Sequence, residues 1–236
     1  MAVSALQVLY EDNHLLVLNK PAGVLVQGDR TGDEPLAETA KQYVKEKYHK
    51  PGKVFLGVVH RLDRPVSGVV VFARTSKALS RMNALFRSRQ TKKIYLAVVK
   101  NEPVQKEGTL VHWLKKSEEK NKAILYTRET PGALRCELTY RHLAGAQGYH
   151  LLEVEPLTGR PHQIRAQLAA MGCAIAGDVK YGFPQGNPDG RIHLHAFSLS
   201  FIHPVKKSEL IIRAPLPDEE IWNYFKGSNL QHGPLD

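Results

Sequence analysis

Residues 59–73 constrain the fold of this chain more than any other stretch. The run Val69, Val70, Val71, Phe72, Ala73 has no polar member and is rich in β-branched residues, the pattern of a strand buried on both faces. Pro65 and Gly68 interrupt regular structure just ahead of it. The polar residues before them therefore belong to a loop that a buried strand holds in place. That loop carries one carboxylate, Asp63, among three basic side chains, His60, Arg61 and Arg64. A carboxylate beside fixed positive charge stays ionised at neutral pH, which suits a nucleophile better than a proton donor.

Short apolar runs of the same kind recur along the chain. Residues 6–10 and 15–19 read as two strands around a polar turn, and 55–59 as a strand leading into the Asp63 loop. Residues 94–99, 109–114, 123–127, 135–141 and 149–155 read as further strands, the last four as an antiparallel meander joined by the polar linkers 117–122 and 145–148. Strands are also expected at 191–201 and 210–212. Helical spacing appears at 36–48, at 76–90 with Ser76 as N-cap, at 161–171 with Pro161 in the first turn, and at 218–225. Strands outnumber helices and many are adjacent, so the class is α+β: a mixed, mainly antiparallel sheet with flanking helices. No repeat, low-complexity tract or linker divides the sequence. A single domain over 1–236 is expected, with an ordered core at about 6–225 and a loose tail at 226–236.

The formal net charge of +10 favours a polyanionic partner, with RNA or DNA the usual one. Cys136 and Cys173 lie far apart without a paired motif, so they read as thiols, not as a disulfide, a metal site or a nucleophile. The first seven residues lack a basic start and a long apolar run, and no stretch is long and apolar enough to span a bilayer. A cytoplasmic protein is the expectation, with a monomer as the default state.

Further clusters could carry chemistry. In Leu157-Thr158-Gly159-Arg160-Pro161-His162-Gln163-Ile164-Arg165 a strand gives way to a helix whose free N–H groups would favour an anion. Arg160, His162 and Arg165 crowd that turn, and a basic helix start on a solvated surface is the plain alternative. Lys92 and Lys93 precede a strand in which Tyr95 faces opposite Ile94 and Leu96. A tyrosine there can stack on a base or donate a hydrogen bond, although half-buried strand tyrosines are common. Lys20-Pro21-Ala22-Gly23 is weaker, since a lysine before a turn is commonplace. His193 and His195 share a strand face, yet no nearby cysteine or acidic pair completes a metal shell, so no metal is expected. His60-Arg61-Leu62-Asp63 is one residue out of step with a kinase catalytic loop, and the glycine-rich ATP loop is missing.

Taken in order, these clusters resemble the RluA-type family of RNA pseudouridine synthases. The matching elements are Lys20-Pro21-Ala22-Gly23, His60-Arg61-Leu62-Asp63, Lys93-Ile94-Tyr95 and Leu157 to Arg165. Gly177-Asp178 with Tyr181-Gly182, and Leu194-His195-Ala196 with His203-Pro204, complete the set, so the resemblance runs from about Leu6 to Leu216. It implies a pseudouridine synthase fold with a central catalytic cleft. The implied activity converts a uridine in ribosomal or transfer RNA to pseudouridine, with no cofactor and no metal. It makes Asp63 the catalytic carboxylate, attacking the base or C1′ or supporting a sugar intermediate. It implies that Arg165 pairs with Asp63, that Tyr95 stacks on the uracil, and that Ile164 lines the pocket. Arg61 would fill the space left by the flipped nucleotide. His60, Lys20, Arg160, His162 and Gln163 are the remaining candidate substrate-binding residues.

Two departures from the family pattern stand out. Val66 replaces the usual threonine, which removes one hydroxyl from the loop. The first motif also starts within about twenty residues of Met1, so the form expected is the one without the small N-terminal RNA-binding domain. Two other functions compete. A non-catalytic RNA-binding protein would have no need of the carboxylate. A nucleoside hydrolase would need a second carboxylate working with water, for which Asp178 is the candidate.

Overall fold

Two aliphatic runs at the heart of the chain set the architecture, in β2 (Leu15–Lys20) and β4 (Ser67–Ala73). The structure is a computed structural model describing residues 6–117, 119 and 121–227. The expected tail from residue 228 on, parts of the 117–122 linker and residues 1–5 lie outside the described residues. The chain divides into two compact units, each assembled from separate stretches of sequence: Met1–Lys93 with Ala196–Pro215, and Ile94–His195 with Leu216–Asp236.

In the first unit β1 (Gln7–Glu11) pairs antiparallel with β2, β2 with β4, and the two-residue β3 (Gly57–Val58) with β4. β10 (Leu194–Ile202) follows β4 in the strand order and carries β11 (Glu209–Arg213) on its other side. Leu15, Val17, Val69 and Val71 face Met82, Leu199, Phe201 and Ile212 in one apolar core. The alternate residues Leu16, Leu18, Val70 and Phe72 are equally buried on the opposite face. Strands covered on both faces cannot alternate polar with apolar, which is why these runs read as continuous hydrophobic sequence. Met82 comes from α2 (Ser76–Arg87), whose cap is Thr75 and not the expected Ser76. The Thr75 hydroxyl accepts the Ala78 N–H at 3.1 Å while its own backbone is still extended. α1 (Leu36–Lys47) buries Leu36, Ala37, Ala40 and Val44, close to the predicted span.

In the second unit β5 (Thr91–Val99), β9 (Tyr149–Pro156), β8 (Leu134–Ala146), β6 (Glu107–Ser117) and β7 (Lys122–Tyr126) lie side by side in that order. Every pairing among them is antiparallel, as expected, but the strands do not form the expected meander: β8 passes over β7 and pairs with β6, leaving β7 at the edge on the other side of β6. α3 (Gln163–Ala170) packs through Ala166 against Leu114, Ala123 and Cys136, with Tyr181 in the same cluster. α4 (Glu220–Asn223) buries Trp222. Cys136 and Cys173 are free, buried thiols. No helix among the described residues is long and apolar enough to cross a membrane.

Gly68, where the Asp63 loop enters β4, holds the first unit's sheet together at close range. Its φ is +115°, and a Cβ built there would lie 2.3 Å from the Ala196 carbonyl oxygen in β10. Gly68→Ala therefore combines backbone strain with overlap against backbone atoms that cannot swing away. A loss of about 3 kcal/mol or more is expected in chemical denaturation. A loss below about 1 kcal/mol would show that the strands do not approach this closely.

Candidate active site

Asp63 lies half-buried at the start of a turn that the Val66 N–H closes onto the Asp63 carbonyl at 3.1 Å. Val66 itself is buried. The surroundings differ from those the sequence suggested. His60 is not a cationic neighbour. Its Nε2 accepts the Val71 N–H at 3.2 Å and its ring stacks on Phe86 at 4.9 Å, so the imidazole is neutral and tied to β4. Burial pushes its pKa down to about 4, helped by Lys93. Arg64 directs its guanidinium to Asp33 at 2.7 Å and to the Gly23 carbonyl at 2.9 Å. Arg61 is exposed.

Within this unit Lys20, which the sequence marked as commonplace, is a buried cation that feels the Asp63 charge. Lys20 is 0 % exposed. Its ammonium donates to the carbonyls of Pro21 at 2.9 Å, Val24 at 2.8 Å and Arg64 at 3.2 Å. An ammonium has three N–H groups, and these three acceptors use them all. The Gly23 N–H also donates to the Arg64 carbonyl at 2.8 Å. The Lys20-Pro21-Ala22-Gly23 turn and the Asp63-Arg64 turn are thus fastened together. Burial lowers the Lys20 pKa to about 7, while the Asp63 charge works in the opposite direction.

In the second unit Tyr95 is half-buried in β5, opposite Val154 of β9. Arg165 and Ile164 are buried in the first turn of α3. The helix starts at Gln163, two residues after Pro161, because His162 takes a left-handed conformation with φ 55°. The Gln163 side chain organises this entry. Its Oε1 accepts from the Thr158 hydroxyl at 2.7 Å and the Arg160 N–H at 3.0 Å, and its Nε2 donates to the Glu137 carbonyl at 3.0 Å. Arg160 Nε reaches the Arg135 carbonyl at 3.3 Å. His162 Nδ1 lies 2.9 Å from the Tyr181 hydroxyl, which accepts the Ala123 N–H at 2.8 Å.

Arg165 grips Asp178 in a two-pronged ion pair, Nε to Oδ2 at 2.7 Å and Nη2 to Oδ1 at 2.8 Å. Its guanidinium lies 5.1 Å from the Tyr181 ring centre. Asp178 is 1 % exposed, so both its oxygens serve Arg165 and it is not disposed as a base for water. The nucleoside-hydrolase reading loses its second carboxylate on this geometry. The sequence held both residues but not their pairing. His193 and His195 are likewise accounted for: His193 Nδ1 meets the Ala176 carbonyl at 3.1 Å, and both rings pack against Trp222.

Three tests follow from these charges. Sequence alone suggests that Arg165→Ala leaves the fold intact, but removing Arg165 strands a buried Asp178 carboxylate. A loss of about 3–5 kcal/mol in urea unfolding is expected instead. A stability unchanged from the parent would contradict the ion pair. For Lys20, a folded pKa of about 7 against an ordinary 10.5 means that the unfolded chain holds the extra proton between those values. Lys20's contribution to stability therefore rises with pH across that window. The stability difference between the parent and Lys20→Met should shift in the parent's favour from pH 7 to pH 9. In Asp63→Asn the Lys20 resonance should titrate lower than in the parent, and an unmoved titration in NMR would show no coupling.

Comparison with known proteins identifies the family. A family model described as RNA pseudouridylate synthase matches residues 14–170, which include Lys20, Asp63, Tyr95 and Arg165. The chain is 32 % identical over 221 residues to the ribosomal large subunit pseudouridine synthase C of Vibrio cholerae, covering 89 % of this chain and 65 % of that protein. It is also 32 % identical over 238 residues to the tRNA pseudouridine synthase C of the same organism, covering 92 % of this chain and 93 % of that one. Among solved structures, human RNA Pseudouridylate Synthase Domain Containing 4 is similar at a TM-score of 0.75 and 26 % identity, covering 90 % of this chain and 89 % of the other. The turn that bears Asp63, the lysine that pins it and the strand that anchors it all fall within the matched region, and the chain belongs to the RNA pseudouridylate synthase family.

Proposed function

We propose that this chain isomerises uridine to pseudouridine in ribosomal or transfer RNA, with Asp63 as the catalytic carboxylate and Tyr95 and Arg165 as its catalytic partners. The observation that carries the reading is the family match over residues 14–170, which holds all three, together with the anchoring of the Asp63 turn by Lys20. In the reaction the N1–C1′ bond of the target uridine breaks, the uracil turns, and C5 bonds to C1′. The proton on C5 leaves and N1 gains one, so the product is an isomer and no outside reactant is consumed. Asp63 starts the exchange. Tyr95 lies against the uracil and Ile164 lines the same pocket.

The substrate must leave its stack for this chemistry, at a cost of a few kcal/mol. Arg61, exposed beside Asp63, is suited to fill the vacated space. Arg160 and His162, at the entry to α3, supply polar contacts to the RNA. Lys20, Gln163 and His60 have internal partners and act by holding the loops in shape. The net charge of +10 supports phosphate contacts that orient the RNA before any base is read. Both kinds of RNA are named for the relatives quoted above.

The test is to incubate the protein with total RNA from a strain lacking it and to map pseudouridine in the ribosomal and transfer fractions. New pseudouridine at defined positions is expected with the parent and none with Asp63→Asn, while Asp63→Asn still binds the RNA. Equal modification by Asp63→Asn would remove the carboxylate from the mechanism. RNA binding without new pseudouridine in any fraction would make the chain a binder.

A further inference from the structure

The β8–β9 hairpin carries a group of side chains that the proposed reaction does not use. His142 of β8 pairs with Leu152 of β9, two residues from His150, so the two histidines are diagonal neighbours on one face. A β-bulge between His142 and Ala144 bends the strand at this point. His142 Nε2 and His150 Nδ1 are 3.1 Å apart, with ring centres at 5.2 Å. A hydrogen bond between two ring nitrogens requires that at least one imidazole be neutral. Glu102, from the segment between β5 and β6, brings a carboxylate to the pair, and the three ligand atoms lie within 4.8 Å of one another. Among the described residues no other group of three or more histidines, cysteines or carboxylates is so disposed.

We propose that Glu102, His142 and His150 form a site for one divalent transition-metal ion, zinc above all. Two ligands held at zinc–nitrogen bond lengths in tetrahedral geometry stand about 3.3 Å apart, close to the spacing of the two histidine nitrogens. Two imidazoles and a carboxylate favour zinc, copper or nickel over magnesium and calcium, which take oxygen ligands. Water would complete the shell. Gly145, directly opposite His150, keeps the approach open: a Cβ there would sit 3.3 Å from His150 Nδ1. Lys106 now serves as the cation of the cluster, bonded to Glu102 and 3.4 Å from His142 Nδ1. Its side chain is 64 % exposed, so it can swing into solvent and give up its place to a metal. The site lies at the far end of β5 from Tyr95, because His150 pairs with Val99 and Tyr95 with Val154. It is therefore independent of the proposed catalytic residues.

The experiment uses the full chain, stripped with chelator and titrated with zinc chloride against a chromophoric competitor. The other histidines contribute background, so the comparison is with His142→Gln/His150→Gln. The parent should bind one zinc more per chain than the double variant, and each single variant should lose roughly tenfold or more in affinity. Lys106→Met should bind zinc more tightly, since the competing ammonium is gone. Cobalt(II) should give the visible bands of a tetrahedral site in the parent and lose them in the double variant. Equal zinc uptake by parent and double variant, with circular dichroism showing both folded, would overturn the proposal. Weaker binding by Lys106→Met would overturn it equally.

Discussion

The ammonium of Lys20 is the interaction on which the Asp63 turn depends. β2 ends in a charge with no solvent contact, and a buried charge survives only with partners. Its partners are three carbonyls, two from its own turn and one from Arg64, next to the carboxylate. The same Arg64 carbonyl also receives the Gly23 N–H. Two loops far apart in sequence are thereby locked at the end of one strand pair, β2 with β4. Because carbonyls consume all three N–H groups, Lys20 acts on Asp63 through space as a point charge and does not compete for its oxygens. The Asp63 main chain is held by the Val66 N–H on its carbonyl.

The second unit solves a related problem with an ion pair. Arg165 at the start of α3 and Asp178 are both buried, and each is costly to bury alone. Two parallel hydrogen bonds fix the guanidinium plane, and the Tyr181 ring lies against it. Tyr181 in turn joins His162 and the backbone of Ala123, so the helix entry, the Asp178 loop and the β7 strand share one polar network. The pair is weak evidence for stability as such. Its value is geometric, since an arginine held on its Nε and Nη2 edge presents the rest of its fork in one direction only.

Elements whose signal is local were legible in the sequence. The apolar runs of β2 and β4, the spacing of α1 and the strands β6 to β9 themselves follow from residue patterns within a dozen positions, but the order in which those strands pair, with β8 beside β6 and not β7, does not. Boundaries set by a single backbone angle were not: His162 in a left-handed conformation delays α3 past Pro161, and Thr75 takes the cap expected of Ser76. The charged site residues were legible as residues, whereas several of their contacts within each unit were not. Asp63 and Arg165 stand out by motif, whereas the neutrality of His60 depends on an amide eleven residues on, and the role of Lys20 depends on Arg64, forty-four residues away. Asp178 finds Arg165 across a span of thirteen. Local charge counts around Asp63 therefore misjudged which neighbour is cationic, because protonation is decided by contacts that only the fold supplies.

Val66 needs no hydroxyl in this turn. A threonine there would add a hydroxyl at a position that is only 2 % exposed, where an unbonded polar group is costly. The turn itself is closed by the Val66 amide on the Asp63 carbonyl, and main-chain atoms are indifferent to the side chain they carry. Lys20 and Gly23 fasten the next carbonyl, that of Arg64, from the other side. With both carbonyls held by the backbone and by a buried ammonium, the side chain at 66 has only to fill space. A β-branched hydrocarbon does that at the entrance to a strand as well as threonine does.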